Sequence, residues 1–130
     1  MDDDGWYSND TATFGDRVAG AREAEGMSQE ALARRLGVKL KTVKGWEDDL
    51  AEPRANKLQM LSGVLGVSLM WLLTGEGDGV DEPEEVRALT PEVKDILLEV
   101  RSLKTQITAS ADKLGRLEKA LRKTLERGAL

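Results

Sequence analysis

The sequence predicts an all-α protein, a small helical head followed by one long helix. Between Thr13 and Thr74 apolar residues recur at three- and four-residue spacing in short runs, most of them opened by Ser or Thr and closed by glycine. After Thr90, eight of ten successive heptad a and d positions are aliphatic. A third of the 130 residues are charged and only 4% are aromatic, which suits solvated helices around a small core.

Residues 1–11 read as an acidic tail, loose or lightly docked, with four Asp and no base. Three consecutive Asp (Asp2–Asp4) could hold a hard cation, but a solvated acidic tail is the simpler reading. Trp6 and Tyr7 should dock on the chain's own head or on a dimer mate. The first helix is expected after Thr13, an N-cap with Asp16 three residues on. Phe14, Val18 and Ala21 form its inner face, and Gly26 ends it. Ser28 caps the second helix, with Glu30 in its first turn and Leu32, Ala33 and Leu36 on one face. Gly37 supplies the positive φ of the turn, and Val38 packs it. A third helix, Leu40–Glu47, carries Val43 and Trp46 on its back and Lys41 and Lys44 on another face. Helix, glycine turn, second helix with an apolar back and a basic front is the layout of a DNA-binding helix-turn-helix.

The loop DDLAEPR follows, and its Asp48, Asp49 and Glu52 would repel a nearby phosphate. Pro53 leads into a fourth helix with Leu58, Leu61, Val64 and Leu65 inward, stopped by Gly66. Ser68 caps a short fifth helix, with Leu69 and Leu72 expected on the core side beside Trp71. Residues 76–90 have the glycine-rich acidic composition of a linker. Such a linker would relax the distance between two heads. Thr90-Pro91-Glu92 is a strong helix start, and the helix should run over 91–128.

In that helix Val93, Val100, Ile107, Leu114 and Leu121 take a, and Ile96, Leu103, Ser110, Leu117 and Thr124 take d. A free helix cannot bury this stripe, so Val93, Ile96, Val100, Leu103, Ile107, Leu114, Leu117 and Leu121 are assigned to oligomerisation. β-Branched residues at a with Leu at d favour a parallel dimer, as do Glu99 with Lys104 of the partner subunit and Lys113 with Glu118 of the partner subunit. Gly115 costs about 1 kcal/mol of helix propensity. Leu97 and Leu125 at e widen the apolar face, leaving open a tetramer or a helix folded back on the head.

The segments MSQEALARRLGV, TVKGWE, EPR and LSGVLGVSLMWLLTGEG together resemble the helix-turn-helix domain of Cro/CI-type (lambda-repressor-like, XRE-family) transcriptional regulators, over roughly Ala12–Gly77. The resemblance implies a five-helix domain, placed at residues 12–75, that puts its third helix into the major groove of double-stranded DNA. It implies base-facing positions at Leu40, Lys41, Lys44 and Gly45, with Thr42 at the margin, and phosphate contacts from Gln29 and Arg54. It also implies an ion pair between Arg22 and Glu47. Lysine can donate to guanine O6/N7 or to phosphate, and Leu40 can meet a thymine methyl. Lys39 stands where the family usually has a Ser or Thr cap, beside the reading face. Gly45 offers no side chain where the family often presents a long polar one.

Composition narrows the alternatives. With neither Cys nor His, the chain lacks thiolate and imidazole ligands and the commonest general base. No metal, cofactor or enzymatic activity is expected, and neither a membrane span nor a leader is evident, so a cytoplasmic protein is expected. The net charge of −5 is unevenly spread, with −4 over residues 1–11, +1 over 12–75, −5 over 76–90 and +3 over 91–130. A head at +1 neutralises few phosphates, so a monomer should bind DNA weakly and a homo-oligomer is required. The leading expectation is therefore a regulator, in the family most often a repressor, on a pseudo-palindromic operator. The alternative is a helix-turn-helix interaction protein, an antirepressor or adaptor acting on a regulatory protein partner.

Overall fold

The computed structural model describes residues 5–128, and all regular structure among them is helical. The helices are α1 (Phe14–Ala24), α2 (Gln29–Leu36), α3 (Leu40–Glu47), α4 (Ala55–Leu65), α5 (Leu69–Thr74), α6 (Glu84–Arg87) and α7 (Pro91–Glu126). Asp2–Asp4, the run that could hold a hard cation, lie outside the described residues.

Local chemistry sets the boundaries. Thr13 and Asp16 form a reciprocal capping box at α1. Ser28, Ser68 and Thr90 each accept a backbone N–H in the first turn of α2, α5 and α7. Gly37, Gly66 and Gly75 end α2, α4 and α5 in the left-handed region. Lys39 makes no side-chain cap to α3, as its chemistry requires.

The core joins α1 through α5. Val18, Ala21, Leu32, Leu36, Val43, Trp46, Leu61, Leu65, Trp71 and Leu72 are buried in one cluster. Leu69 departs from expectation, being 37% exposed. On a helix as short as α5 the inward side is taken by Trp71 and Leu72, and Leu69 faces outward with Met70 and Leu73.

Two stretches read as tail and linker are packed. Trp6 and Tyr7 are both buried in the core cluster. In the acidic stretch, Val86 and Leu89 are apolar three residues apart and fold one turn onto the core, forming α6, with Val80 beside them. α7 is long, about 54 Å at 1.5 Å per residue. Its first half packs on the head, Ala109, Ala111 and Asp112 still line clefts with it, and residues 113–126 are exposed. No helix among the described residues is long and apolar enough to cross a membrane.

Candidate nucleic-acid interface

α3 is held from behind. Val43 and Trp46 are buried, and Glu47 at its last turn is clamped by α1 and α2. Arg22 donates Nε to Glu47 Oε2 at 2.7 Å and Nη2 to Oε1 at 3.0 Å, and its Nη1 donates to the Met27 carbonyl at 2.8 Å. The side chains are 11% and 5% exposed, so this bidentate pair is shielded from water and far stronger than a surface ion pair. The carboxylate in turn holds the Arg22 guanidinium above its ordinary pKa.

Gln29 joins the same cluster, its amide donating to Glu47 Oε1 at 2.9 Å. One of its two amide N–H donors thereby helps orient α3 against α2. What Gln29 presents outward is the start of α2, where backbone N–H groups and the helix dipole favour an anion.

The outward face of α3 is basic. Lys39, Lys41 and Lys44 are exposed, Leu40, Thr42 and Gly45 are half-exposed, and Arg54 is exposed at the N-cap of α4. Among the described residues, no hydrogen bond or ion pair engages Lys39, Lys41, Lys44 or Arg54, so four cations stand unneutralised around one helix. Gly45 is not forced by packing, because a Cβ there would meet only the Ala51 Cβ, at 3.9 Å.

The acidic loop behaves differently from its sequence. Asp49 sits at φ 58°, a left-handed conformation that Asp tolerates better than most residues. Its carboxylate turns toward the start of α1, accepting from the Thr13 hydroxyl at 2.6 Å and the Gly15 N–H at 2.9 Å. It is a second cap for α1, and its charge is placed against the positive end of that helix. Asp48 and Glu52 are exposed, as Asp49 is, but make no side-chain hydrogen bond of that kind among the described residues. Gly15 also lets α1 press on α3, since a Cβ there would lie 2.7 Å from the Trp46 carbonyl oxygen and closer still to that of Glu47.

Three more charged residues have structural roles not foreseen in the sequence. Arg17 is 2% exposed, and its five-donor fork is answered by carbonyl and amide oxygens rather than by a carboxylate. It donates to Leu72 and Leu73 O at the end of α5, to Tyr7 O at 2.9 Å and to Asn9 Oδ1. Its position is three after Phe14 and one before Val18, on the apolar stripe of α1, and that placement is the signal that marks it. Lys57 donates to Leu36 O at 2.9 Å and so satisfies the C-terminus of α2. Arg101 of α7 stacks on Trp6, 3.7 Å from the ring centroid.

α7 has two faces. Lys94, Leu97, Leu98 and Arg101 turn toward the head, and Thr105, Thr108 and Asp112 share a cleft with Asp48, Asp49 and Leu50. In the heptad these are b, e and f positions. The other a and d side chains point away while Ile107 also borders that cleft, and Val93, Ile96, Val100, Leu103, Ile107, Leu114, Leu117 and Leu121 are between 47% and 67% exposed. Leu97 is half-buried against the head, so part of the widened apolar face is covered within the chain.

Comparisons with known proteins find similarity to helix-turn-helix regulators. A helix-turn-helix family profile matches residues 19–72. The chain is 33% identical over 87 residues to the HTH-type transcriptional regulator DicA of Escherichia coli (strain K12), covering 65% of this chain and 64% of that protein. It is 39% identical over 62 residues to the SPbeta prophage-derived HTH-type transcriptional regulator YonR of Bacillus subtilis (strain 168), covering 48% of this chain and 57% of that one. It thus spans somewhat under two thirds of these curated relatives. Among solved structures, the P22 c2 repressor in complex with a synthetic operator is 32% identical, with a TM-score of 0.49, over 51% of this chain and all of that one.

Proposed function

We propose that this chain is a Cro/CI-type (XRE) helix-turn-helix transcriptional regulator that binds a pseudo-palindromic operator as a homodimer, reading DNA with α3 and pairing through the a/d seam of α7. The observation that carries the DNA reading is the set of four cations, Lys39, Lys41, Lys44 and Arg54, around a helix whose opposite side is locked into the core. Lys41 and Lys44 reach base edges or phosphate, Leu40 and Thr42 make apolar and hydroxyl contacts, and Arg54 with the α2 start at Gln29 grips the backbone. Binding at an operator implies control of transcription, by repression where the bound protein blocks access to the DNA.

The seam supports the dimer. The head occupies the b/e/f side of α7, so the aliphatic a/d side is free to meet a second copy, and the exposed stretch beyond residue 112 extends that surface. A head with few cations binds weakly alone, and pairing two raises the affinity without new contacts.

Selection of DNA from a random pool, with full-length protein and with K41A/K44A, tests the reading. The wild type should enrich two inverted half-sites about one or two helical turns (~34 or ~68 Å) apart, and the variant should enrich none. Equal enrichment by the variant would remove α3 as the reading helix. The interaction-protein alternative draws on exposed Asp48, Glu52 and Leu50, the last 81% exposed, beside that face. It predicts no DNA enrichment, and a partner whose binding persists as salt rises.

A further inference from the structure

Residues 6 and 7 are adjacent in sequence but are gripped by different parts of the molecule. The Trp6 indole lies under the Arg101 guanidinium of α7, and the Trp6 carbonyl accepts from Arg101 Nη2. The Tyr7 carbonyl accepts from Arg17 of α1, and its ring meets Trp71 of α5 edge-on, with centroids 5.2 Å apart and planes at 68°. Gly20 of α1 leaves the space the Tyr7 phenol fills, since any Cβ there would collide with it. This dipeptide therefore rivets α7 to the head.

A second connection lies on the other strand of chain. Ser68 N–H donates to Asp78 O at 2.7 Å, Val86 is buried, and Lys94 of α7 pairs at 2.7 Å with Glu82, whose side chain is 2% exposed. Lys94, with Leu97 and Leu98 packed on the core cluster, holds the first turns of α7. Arg101, seven residues on and about 10 Å along the axis, adds a second fixed point, and two points set a direction. The guanidinium is placed by its plane, for its buried Nε has no hydrogen-bond partner among the described residues. Lysine has no such plane.

We infer that the Trp6–Arg101 contact sets the half-site spacing this protein accepts, by fixing each reading head on the coil helix. The inference rests on the dimer proposed above. Heads on loose linkers would accept many spacings. Heads fixed to a shared coil accept one, because a single inserted base pair moves the second half-site by about 3.4 Å and turns it by about 35°. Arg101 is here a positioning residue for specificity and makes no contact with a base.

The test uses the full chain and DNA carrying two copies of the selected half-site, with the separation changed one base pair at a time. Wild type should bind one separation best and lose roughly 100-fold where both heads cannot engage. R101A and R101K should keep single half-site affinity and dimer mass yet vary by no more than about threefold across the series, the loss of one fixed point having freed the heads. Because the chain has no cysteine, spin labels at E23C and K119C report the geometry directly, in dimers diluted with unlabelled protein. Their distance distribution should be narrow in wild type and broad when R101A is added. A spacing profile as sharp in R101A as in wild type, or an equally narrow distribution, overturns the inference. Wild type that binds paired half-sites no better than single ones overturns the dimer reading and the spacing claim together, whereas a flat profile with normal avidity overturns the spacing claim alone.

Discussion

Removing Asp49 separates its two opposed readings. As a loop acid beside DNA it would weaken binding, and its loss would strengthen it. In the structure the carboxylate instead accepts from the Thr13 hydroxyl at 2.6 Å and from Gly15 N–H at 2.9 Å. Deleting a capping side chain costs about 0.5–2 kcal/mol, and the charge at the helix start adds about 0.3–1 kcal/mol. D49G removes both but suits φ 58°, so about 1–2 kcal/mol of destabilisation is expected. D49A also forces Ala into the left-handed region and should lose roughly 1 kcal/mol more. D49N keeps one acceptor and tolerates the backbone, so less than about 1 kcal/mol is expected. Urea unfolding of all four proteins at one fixed concentration gives these values, since stability of an oligomer depends on concentration. DNA affinity measured alongside should change by less than about twofold in D49N, because the carboxylate is turned toward α1. Unchanged stability in D49G, with tighter DNA binding, would refute the cap.

Three other substitutions follow from close approaches and burial. G15A places a methyl into the Trp46 and Glu47 carbonyls, so it should cost about 2–3 kcal/mol in urea and prise α1 from α3, whereas an ordinary surface glycine would gain stability. G45A has room within the chain and should stabilise α3 by about 0.5–1 kcal/mol. If the glycine lets α3 lie close against bases, the same variant loses DNA affinity, and a rise in both would reject that role for it. Tyr7 has its phenol pushed up by burial, an effect that the Arg101 charge opposes. A raised folded pKa contributes stability that is full below the unfolded value of about 10 and is lost as pH climbs through the folded one. Wild type should therefore decline relative to Y7F above about pH 10 in urea midpoint, with a constant difference from pH 7 to 9. Parallel curves through pH 11 would show that the phenol titrates freely.

Caps, glycine stops and apolar stripes were legible because each is written in a few neighbouring residues. Thr13 with Asp16, Ser28, Gly37 and Gly66 all act where their local chemistry places them. The Arg22–Glu47 pair was accessible only through family resemblance, since 25 residues separate its members. What escaped was chiefly charge with an internal partner. Asp49 reads as a loop acid because the α1 start it caps is 34 residues earlier in the chain. Arg17 lies on the apolar stripe of α1, but its carbonyl partners come from α5 and the Tyr7 segment, far from it in the chain. The acidic composition of 76–90 concealed α6, because two apolar residues, Val86 and Leu89, suffice to dock one turn. Along α7 a second pattern, Lys94, Leu97, Leu98 and Arg101, lies beside the heptads, and the stronger a/d repeat masked it. A residue's partner in space decides whether its charge belongs to the surface, and sequence spacing does not carry that information.

The seam offers the most direct trial of two weak heads made strong by pairing. Leu103, Leu114 and Leu117 are 54%, 62% and 57% exposed in the single chain, so replacing all three by Gln should leave the head's own fold intact. Sedimentation and DNA titration of L103Q/L114Q/L117Q against wild type then answer the question in one experiment. A monomer that binds single half-sites as wild type does, but paired half-sites roughly 10²–10⁴-fold more weakly, is the predicted result. A triple variant that stays dimeric, or that turns monomeric and still binds the paired operator as tightly as wild type, would contradict it.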